Sequence, residues 1–478
     1  MQCPQVAIAT DIHASAARSR LLVAIAAPLI AAVVSSCATL SADGGFSAVQ
    51  DIVRDRGGAQ ARWSRTDVEA EGIHATVEQL LARPLSVDDA VHVALINNRG
   101  LQATYAELGI GETELVAASW PRNPGFTFSH LQGGGDKEIE RSFTLELVSL
   151  LAIPLRTRIE RERLAVTQLA VASEVLDVAS QARRAYFRTL SAQQAVRYTA
   201  QVQDAAEASA ELARRMAKAG NWGKLEQARE EAFYADATAQ VARARQAAIA
   251  EREKLIRVLG LSGAQVDFKL PGRLPDLPAA ISGEKDIEAR ALAERLDVQA
   301  AKKDVESLAA SLGLSKATRF INVLEVGYRT KSETGMPPKR GYEISVELPL
   351  FDWTGAKVAR AEYLYMQGVD RAAAIAIDAR SEVREAYAAY ATAHEVARHY
   401  RDRLVPLRKQ IADENQLRYN GMLIGVFELL ADAREQVATV NASIEALRDF
   451  WIAESDLQLA MTGSSSGVNR AMNRAAAR

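Results

Sequence analysis

Apolar residues recur along this chain at two different spacings, and each spacing predicts a different element. Ala386, Tyr390, Ala393, Ala397, Tyr400, Leu404, Leu407 and Ile411 follow a 4-3 alternation, the seam of a helix packed in coiled-coil fashion. Leu164, Val171, Val175, Val178, Ala182, Ala185 and Val196 mark a similar seam earlier in the chain. Elsewhere every second residue is apolar. Phe143, Leu145 and Leu147 alternate with Thr144 and Glu146; Leu324, Val326 and Tyr328 with Glu325, Gly327 and Arg329; Tyr342, Ile344, Val346 and Leu348 with Glu343, Ser345 and Glu347. This predicts strands with one apolar and one largely acidic face. Residues 125–131 read as a fourth, less regular strand. Gly133-Gly134-Gly135-Asp136 and Lys331-Ser332-Glu333-Thr334-Gly335 read as polar turns.

These elements occur twice in the same order. Setting Tyr186 on Tyr387 gives an offset of 201 that carries Gly220 to Gly421 without a gap. Ala94-Leu95-Ile96-Asn97-Asn98 lies on Ala291-Leu292-Ala293-Glu294-Arg295 at an offset of 197, and Pro154-Leu155 on Pro349-Leu350 at 195. Each half predicts a helix (87–119, 286–317), two strands, a very long helix (156–218, 352–418), a glycine-marked turn and a shorter helix (225–259, 425–460). At 1.5 Å per residue the first long helix would measure about 94 Å and its two flanking helices about 50 Å each. Pro406 is expected to kink the second long helix, at about 3 kcal/mol. Pro271, Pro275 and Pro278 mark a linker between the halves. The expected organisation is a signal peptide (1–36), an N-terminal segment (37–84), a first repeat (85–262), the linker (263–285), a second repeat (286–462) and a frayed tail (463–478).

Each strand is near the length that crosses a bilayer when tilted. Four strands cannot close a barrel in lipid, because open edges would leave backbone groups unpaired. Either the hairpins cover the ends of a water-soluble bundle, or chains combine to give eight strands as a dimer or twelve as a trimer. The N-terminus bears on this choice. Arg18 and Arg20 precede an apolar run, 21–34, that ends in Val34-Ser35-Ser36-Cys37, the layout of a secretory signal. The run is too short to span a membrane as a helix. The residues ahead of Arg18 include Asp11 and are unlike a signal, which leaves the translation start open.

Composition narrows the function classes. Among 478 residues, 58 Lys and Arg balance 60 Asp and Glu, which argues against a dedicated nucleic-acid binder. Two cysteines and six histidines leave little material for a metal centre. Cys3 would leave with the signal, so Cys37 would be the one remaining cysteine and no intramolecular disulfide is expected. His394-Glu395-Val396-Ala397-Arg398-His399 superficially resembles a zinc-protease motif, but its histidines are five apart, about 140° around a helix. A surface role is expected for them. No catalytic residue, metal site or cofactor is expected.

The duplicated helix, hairpin, long helix, glycine turn and helix behind Cys37 resembles the TolC-like outer-membrane efflux protein family. The likeness runs from about 85 to 463, on Ser119–Pro124, Glu347-Leu348-Pro349-Leu350-Phe351-Asp352, Lys218-Ala219-Gly220-Asn221 and Tyr419-Asn420-Gly421. It implies a mainly helical fold with a small β part. Duplicated coiled-coil hairpins would form a periplasmic α-barrel, and four strands per chain would contribute to a trimeric, twelve-stranded transmembrane β-barrel. It further implies a homotrimer in the outer membrane, docked onto a periplasmic adaptor (a membrane fusion protein) and an inner-membrane transporter. Such a channel conducts passively what the pump delivers. Val34-Ser35-Ser36-Cys37 resembles a lipobox, which implies acyl chains such as palmitate on Cys37.

By the same resemblance the helix tips, Gly220, Asn221 and Trp222 with Gly421, Met422, Leu423 and Ile424, are the adaptor contact and gate. Turn geometry alone would explain both glycines, whereas exposed Trp222, Met422, Leu423 and Ile424 read as a partner surface. Family acidic positions beyond the second tip are held here by Phe427 and Leu430, so an acidic ring and an apolar constriction both stand. Arg418 and Tyr419 are candidate tethers of that constriction. Glu146, Glu325, Arg329, Glu343 and Glu347 are the candidate barrel-lumen residues. The competing reading is a lipid-anchored periplasmic coiled-coil structural or adaptor protein without a pore.

Overall fold

The computed structural model describes residues 39–57, 60–281, 283, 285–318, 323–347, 355–463 and 468. In chain order these form α1 (Phe46–Gly57), α2 (Asp67–Leu81), α3 (Val87–Asn97), α4 (Arg99–Ser119), β1 (Gly125–Gly133), β2 (Asp136–Glu146), α5 (Leu147–Lys218) and α6 (Lys224–Leu259). Then come α7 (Ile287–Glu294), α8 (Leu296–Ala317), β3 (Val323–Glu333), β4 (Lys339–Glu347), α9 (Ala356–His399), α10 (Val405–Asn420) and α11 (Val426–Thr462). The chain divides into two compact units. One holds the sheet, within 110–164 and 307–365; the other holds 45–109, 165–306 and 366–478.

The sheet unit has strand order β1-β2-β3-β4, antiparallel throughout. The long helix begins earlier than expected: Leu147 opens α5 instead of ending β2, and Pro154 lies inside the helix. Proline cannot donate to the carbonyl four residues back. In this turn Arg156 Nη2 donates to the Ser149 carbonyl, 3.3 Å away.

The helical unit is built on a core to which α1 and α2, two helices not read from the sequence, contribute Val49, Val53 and Val77. Thr66 and Glu69 form a reciprocal capping box that starts α2. Phe46 meets Tyr105 edge-on at 4.9 Å. A second cluster gathers Tyr390, Ala397, Ala446 and Phe450, with Tyr390 stacked on Phe450 at 5.4 Å.

Each expected first helix of a repeat is in fact two. Asn98 (φ −67°, ψ 116°) and Arg295 (φ −63°, ψ 128°) are extended residues that separate α3 from α4 and α7 from α8. They are the pair matched at offset 197, so the interruption itself is repeated. Across each break a glutamine side chain donates to the carbonyl six residues back, Gln102 to Ile96 (3.1 Å) and Gln299 to Ala293 (3.0 Å). The break also receives the end of the repeat's last helix. Asn98 Nδ2 donates to Val258 O at 2.9 Å, and Arg295 Nη1 to Ala460 O at 2.9 Å.

The linker opens with a 3-10 turn (Gly263–Val266), and its carbonyls are taken up by side chains from both repeats. Arg252 donates to Val266 O and Phe268 O, Arg197 to Gly272 O, Trp451 Nε1 to Pro275 O, Arg401 to Leu277 O and His394 Nε2 to Pro278 O. His394 is therefore buried beneath the linker, against the expectation of a surface residue, while His399 is exposed.

Pro406 acts through a π turn. Tyr400–Leu404 is π-helical, and α10 restarts with the proline in its first turn. Widening the helix accommodates a ring that would otherwise strike the carbonyl four residues back. The turn also adds a residue. Upstream, the buried pairs Val178/Ala379, Ala182/Val383 and Thr189/Tyr390 are matched at 201. Downstream, the inward side moves by one: Leu407 is 52% exposed, and Arg408 takes the half-buried place expected for it.

Candidate functional site

The strand registers sort every side chain of the sheet onto one of two faces. Phe126↔Phe143, Phe143↔Tyr328 and Tyr328↔Tyr342 are direct pairs, so an aromatic row crosses all four strands on one face. Toward the helices this row is followed by Leu145·Val326·Ile344 and then Leu324·Val346. Phe126, Phe143, Tyr328, Tyr342, Ile344 and Val346 are exposed in the single chain, Tyr342 at 86%, while Leu145, Val326 and Leu324 are half-buried. Uncovered apolar surface on this scale marks an interaction site or a lipid contact.

The opposite face carries Asp136, Glu138, Glu140, Glu146, Glu325, Glu333, Glu343 and Glu347, every acidic residue of the four strands. All five expected lumen residues, Glu146, Glu325, Arg329, Glu343 and Glu347, lie on it. Toward the turns the charges are paired: Arg329 with Glu140 (2.7 Å) and Glu343 (3.0 Å), Lys331 with Glu138 (2.9 Å) and Glu333 (2.8 Å). Toward the helices Glu146 stands directly across from Glu325 and is held by Arg122 at 2.9 Å. The outer backbone edges of β1 and β4 have no strand partner within the described chain.

The two helix tips share one construction. Asn221 N bonds to Met216 O and Gly220 N to Ala217 O; Leu423 N bonds to Arg418 O and Met422 N to Tyr419 O, all at 2.9–3.0 Å. This is the paired bond pattern that closes a helix with a left-handed residue. Gly220 (φ 77°) supplies that residue at the first tip, but Met422 (φ 56°) supplies it at the second. The gapless match of Gly220 to Gly421 is thus corrected. Gly421 has φ −81°, and the structural equivalents Gly220/Met422 and Gly223/Gly425 are matched at 202, the π turn having added one residue. Met422 and Leu423 are exposed at 93% and 78%, whereas Trp222 and Ile424 are half-buried instead of exposed. Asn221 is exposed.

Close to the tips, Glu230 of α6 is buried at 1% exposure, held by Arg434 of α11 (3.2 Å) and by the Ser209 hydroxyl (2.8 Å). Arg434 also covers the Phe233 ring. This link between the two hairpins carries no sequence signal, because its members lie on three separate helices. Arg418 pairs with Glu414 on its own helix at 3.3 Å, and Tyr419 is exposed. Phe427 and Leu430 lie in α11 with side chains outside those described, and Cys37 falls outside the described residues altogether. Among the described residues no group of three or more His, Cys, Asp or Glu is arranged to hold a metal, and no helix is long and apolar enough to cross a membrane.

No protein-family model matches the sequence, and no curated protein does. Solved structures do match. CusC, described for the conformational changes accompanying folding and transmembrane channel formation, is 17% identical at a TM-score of 0.66, over 79% of this chain and 92% of its own. The outer-membrane channel OprN is 17% identical at 0.66, over 90% and 97%. The open state of the MtrE outer membrane channel of Neisseria gonorrhoeae is 18% identical at 0.66, over 79% and 89%. The chain therefore has the fold of the outer-membrane channel proteins, the fold that its likeness to the TolC-like family implied.

Proposed function

We propose that this chain is the outer-membrane channel subunit of a tripartite export system. Three copies join β4 of one to β1 of the next and close a twelve-stranded barrel. Its apolar face meets lipid, and Glu146, Glu325, Arg329, Glu343 and Glu347 line the lumen. The carrying observation is the sheet: all its acidic residues lie on one face, an apolar face lies opposite, and both edges are open. A lipid-embedded sheet with open edges must be completed by other copies. A dimer would give eight strands, whose interior is just filled by side chains. Twelve leave a passage.

The helical hairpins extend into the periplasm. The tips around Gly220, Asn221 and Trp222 and around Gly421, Met422, Leu423 and Ile424 dock onto a periplasmic adaptor coupled to an inner-membrane transporter. Arg418, Tyr419, Phe427 and Leu430 form the constriction, and Cys37 carries the lipid that anchors the chain to the outer membrane. Conduction is passive, with energy supplied by the partners and no chemistry at the channel.

The test is the mass and location of the native protein extracted in detergent. A particle of about three mature chains in outer-membrane fractions is expected. A water-soluble monomer, or a particle released simply by removing Cys37, would overturn the channel in favour of an anchored periplasmic rod.

A further inference from the structure

The apolar face of the sheet is not uniformly apolar. On the turn side of the aromatic row lies the row Phe128·Arg141·Thr330·Arg340, and beyond it on the same face come His130·Ile139·Ser332 and Gln132·Lys137. This face carries no acidic residue at all, and its Arg and Lys residues, Arg141, Arg340 and Lys137, all lie beyond the aromatic row. All three are exposed, and among the described residues none of them forms an ion pair. On the opposite face Arg329 and Lys331 are each shared between two carboxylates, while Lys339 at the turn end forms no ion pair among the described residues. Arg141 extends across the face to its cross-strand neighbour Phe128, its guanidinium carbon 6.0 Å from the ring centroid.

We infer that this band binds the phosphate-bearing headgroups of the lipid leaflet at the hairpin turns. The inference rests on the channel reading, which puts the aromatic row at the border of the hydrocarbon. Two residues along a strand advance about 6.7 Å, so after a tilt of about 40° the arginine row stands about 5 Å beyond that border. That is the depth of headgroups. Arg141 and Arg340 are separated by two strand spacings, about 9.6 Å, with the Thr330 hydroxyl between them. Two planar guanidinium forks and a hydroxyl suit the oxygens of a phosphate ester, whereas a zwitterionic headgroup would leave its cation facing two arginines. Lys137 adds charge further out. The absence of any carboxylate from this face removes the competitor that would neutralise the band.

The test reconstitutes the full chain in bilayers of equimolar phosphatidylcholine and phosphatidylglycerol and reads, by native mass spectrometry, which lipid stays on the extracted oligomer. Anionic lipid should be enriched on the order of fivefold. Arg141→Gln with Arg340→Gln should bring the ratio close to one, Arg141→Lys with Arg340→Lys should retain part of it, and Arg214→Gln on α5 should leave it unchanged. Excess inorganic phosphate should not displace the lipid; complete displacement would mean that the band reads a free ion, and would overturn the assignment. So would equal retention of both lipids by the wild-type chain, a reading that needs no variant to fold. Failure of the wild-type chain to enter either bilayer would overturn the channel itself, an outcome distinguishable from insertion without preference.

Discussion

Arg295 and Asp297, two residues apart across the break between α7 and α8, form a bidentate ion pair of 3.0 and 2.7 Å with side chains only 2% and 3% exposed. Asp297 Oδ1 also accepts the Val298 amide, and Arg295 also reaches Glu382. Removing one member leaves the other charged and buried without its partner. Arg295→Ala should therefore destabilise the helical unit by about 3–5 kcal/mol. Arg295→Met with Asp297→Asn should cost markedly less than the sum of the single changes. Thermal unfolding of the four proteins in detergent measures the non-additivity.

Gln102 and Gln299 brace equivalent breaks with unequal sets of bonds. Gln102 also donates to Arg62 O and accepts the Ser64 amide, tying in the segment ahead of α2. Gln102→Ala, which loses three bonds, should cost about 3 kcal/mol and Gln299→Ala, which loses one, about 1 kcal/mol, at roughly one per lost bond. Equal losses in denaturant unfolding would refute this difference in role.

His92 gives the helical unit a pH dependence. Burial, with Arg62 nearby, holds its imidazole below the usual value despite Asp89. The folded state thus favours the neutral ring. The stability this contributes is complete above the unfolded value of about 6.5 and is lost as pH falls through the folded value. His92→Gln should flatten the melting temperature between pH 7 and pH 5 (about the range of histidine titration). An unchanged slope would exclude His92 as the source.

The sheet faces predict opposite tolerances. Leu145→Arg or Val346→Arg, on the face given to lipid, should reduce assembled oligomer in the outer-membrane fraction, at about 2–4 kcal/mol near the midplane. Ser345→Arg, directly across from Glu325 on the other face, should be tolerated. Equal tolerance of all three would place neither face in lipid.

Met422 occupies a left-handed position that its first-tip counterpart fills with glycine. Met422→Gly should stabilise the isolated chain by about 1 kcal/mol. If the exposed side chain serves adaptor docking, the same change should weaken export. A gain in stability with unchanged export would leave the tip without a partner role.

Period and repetition made most of the fold legible in the sequence. The alternation in β2, β3 and β4 assigned the lumen candidates to one face, and that face is continuous across the observed registers. Hidden were features whose signal is local and chemical. The breaks at Asn98 and Arg295 sit within helix-forming sequence and are set by bonds to segments more than a hundred residues away. Helix α1 sets Phe46 against Tyr105 of α4, and both α1 and α2 feed a core that also draws on α4 and α5, which no short window of sequence contains. The Glu230–Arg434 link joins the two repeats, so matching one repeat to the other could not find it.

Inserting one residue into an ordinary α-helix rotates everything beyond it by about 100°. Had the extra residue near Tyr400 been absorbed in that way, the tip end of the second long helix would have turned its packing side toward water. The wide turn confines the disturbance to a single swelling. Beyond it, neighbouring side chains exchange places by one number while the half-buried stripe through Arg408 and Ile411 keeps its heading. The second half of the molecule thus carries one residue more than the first between its matched positions, and at its tip a methionine holds the left-handed place that a glycine holds at the other.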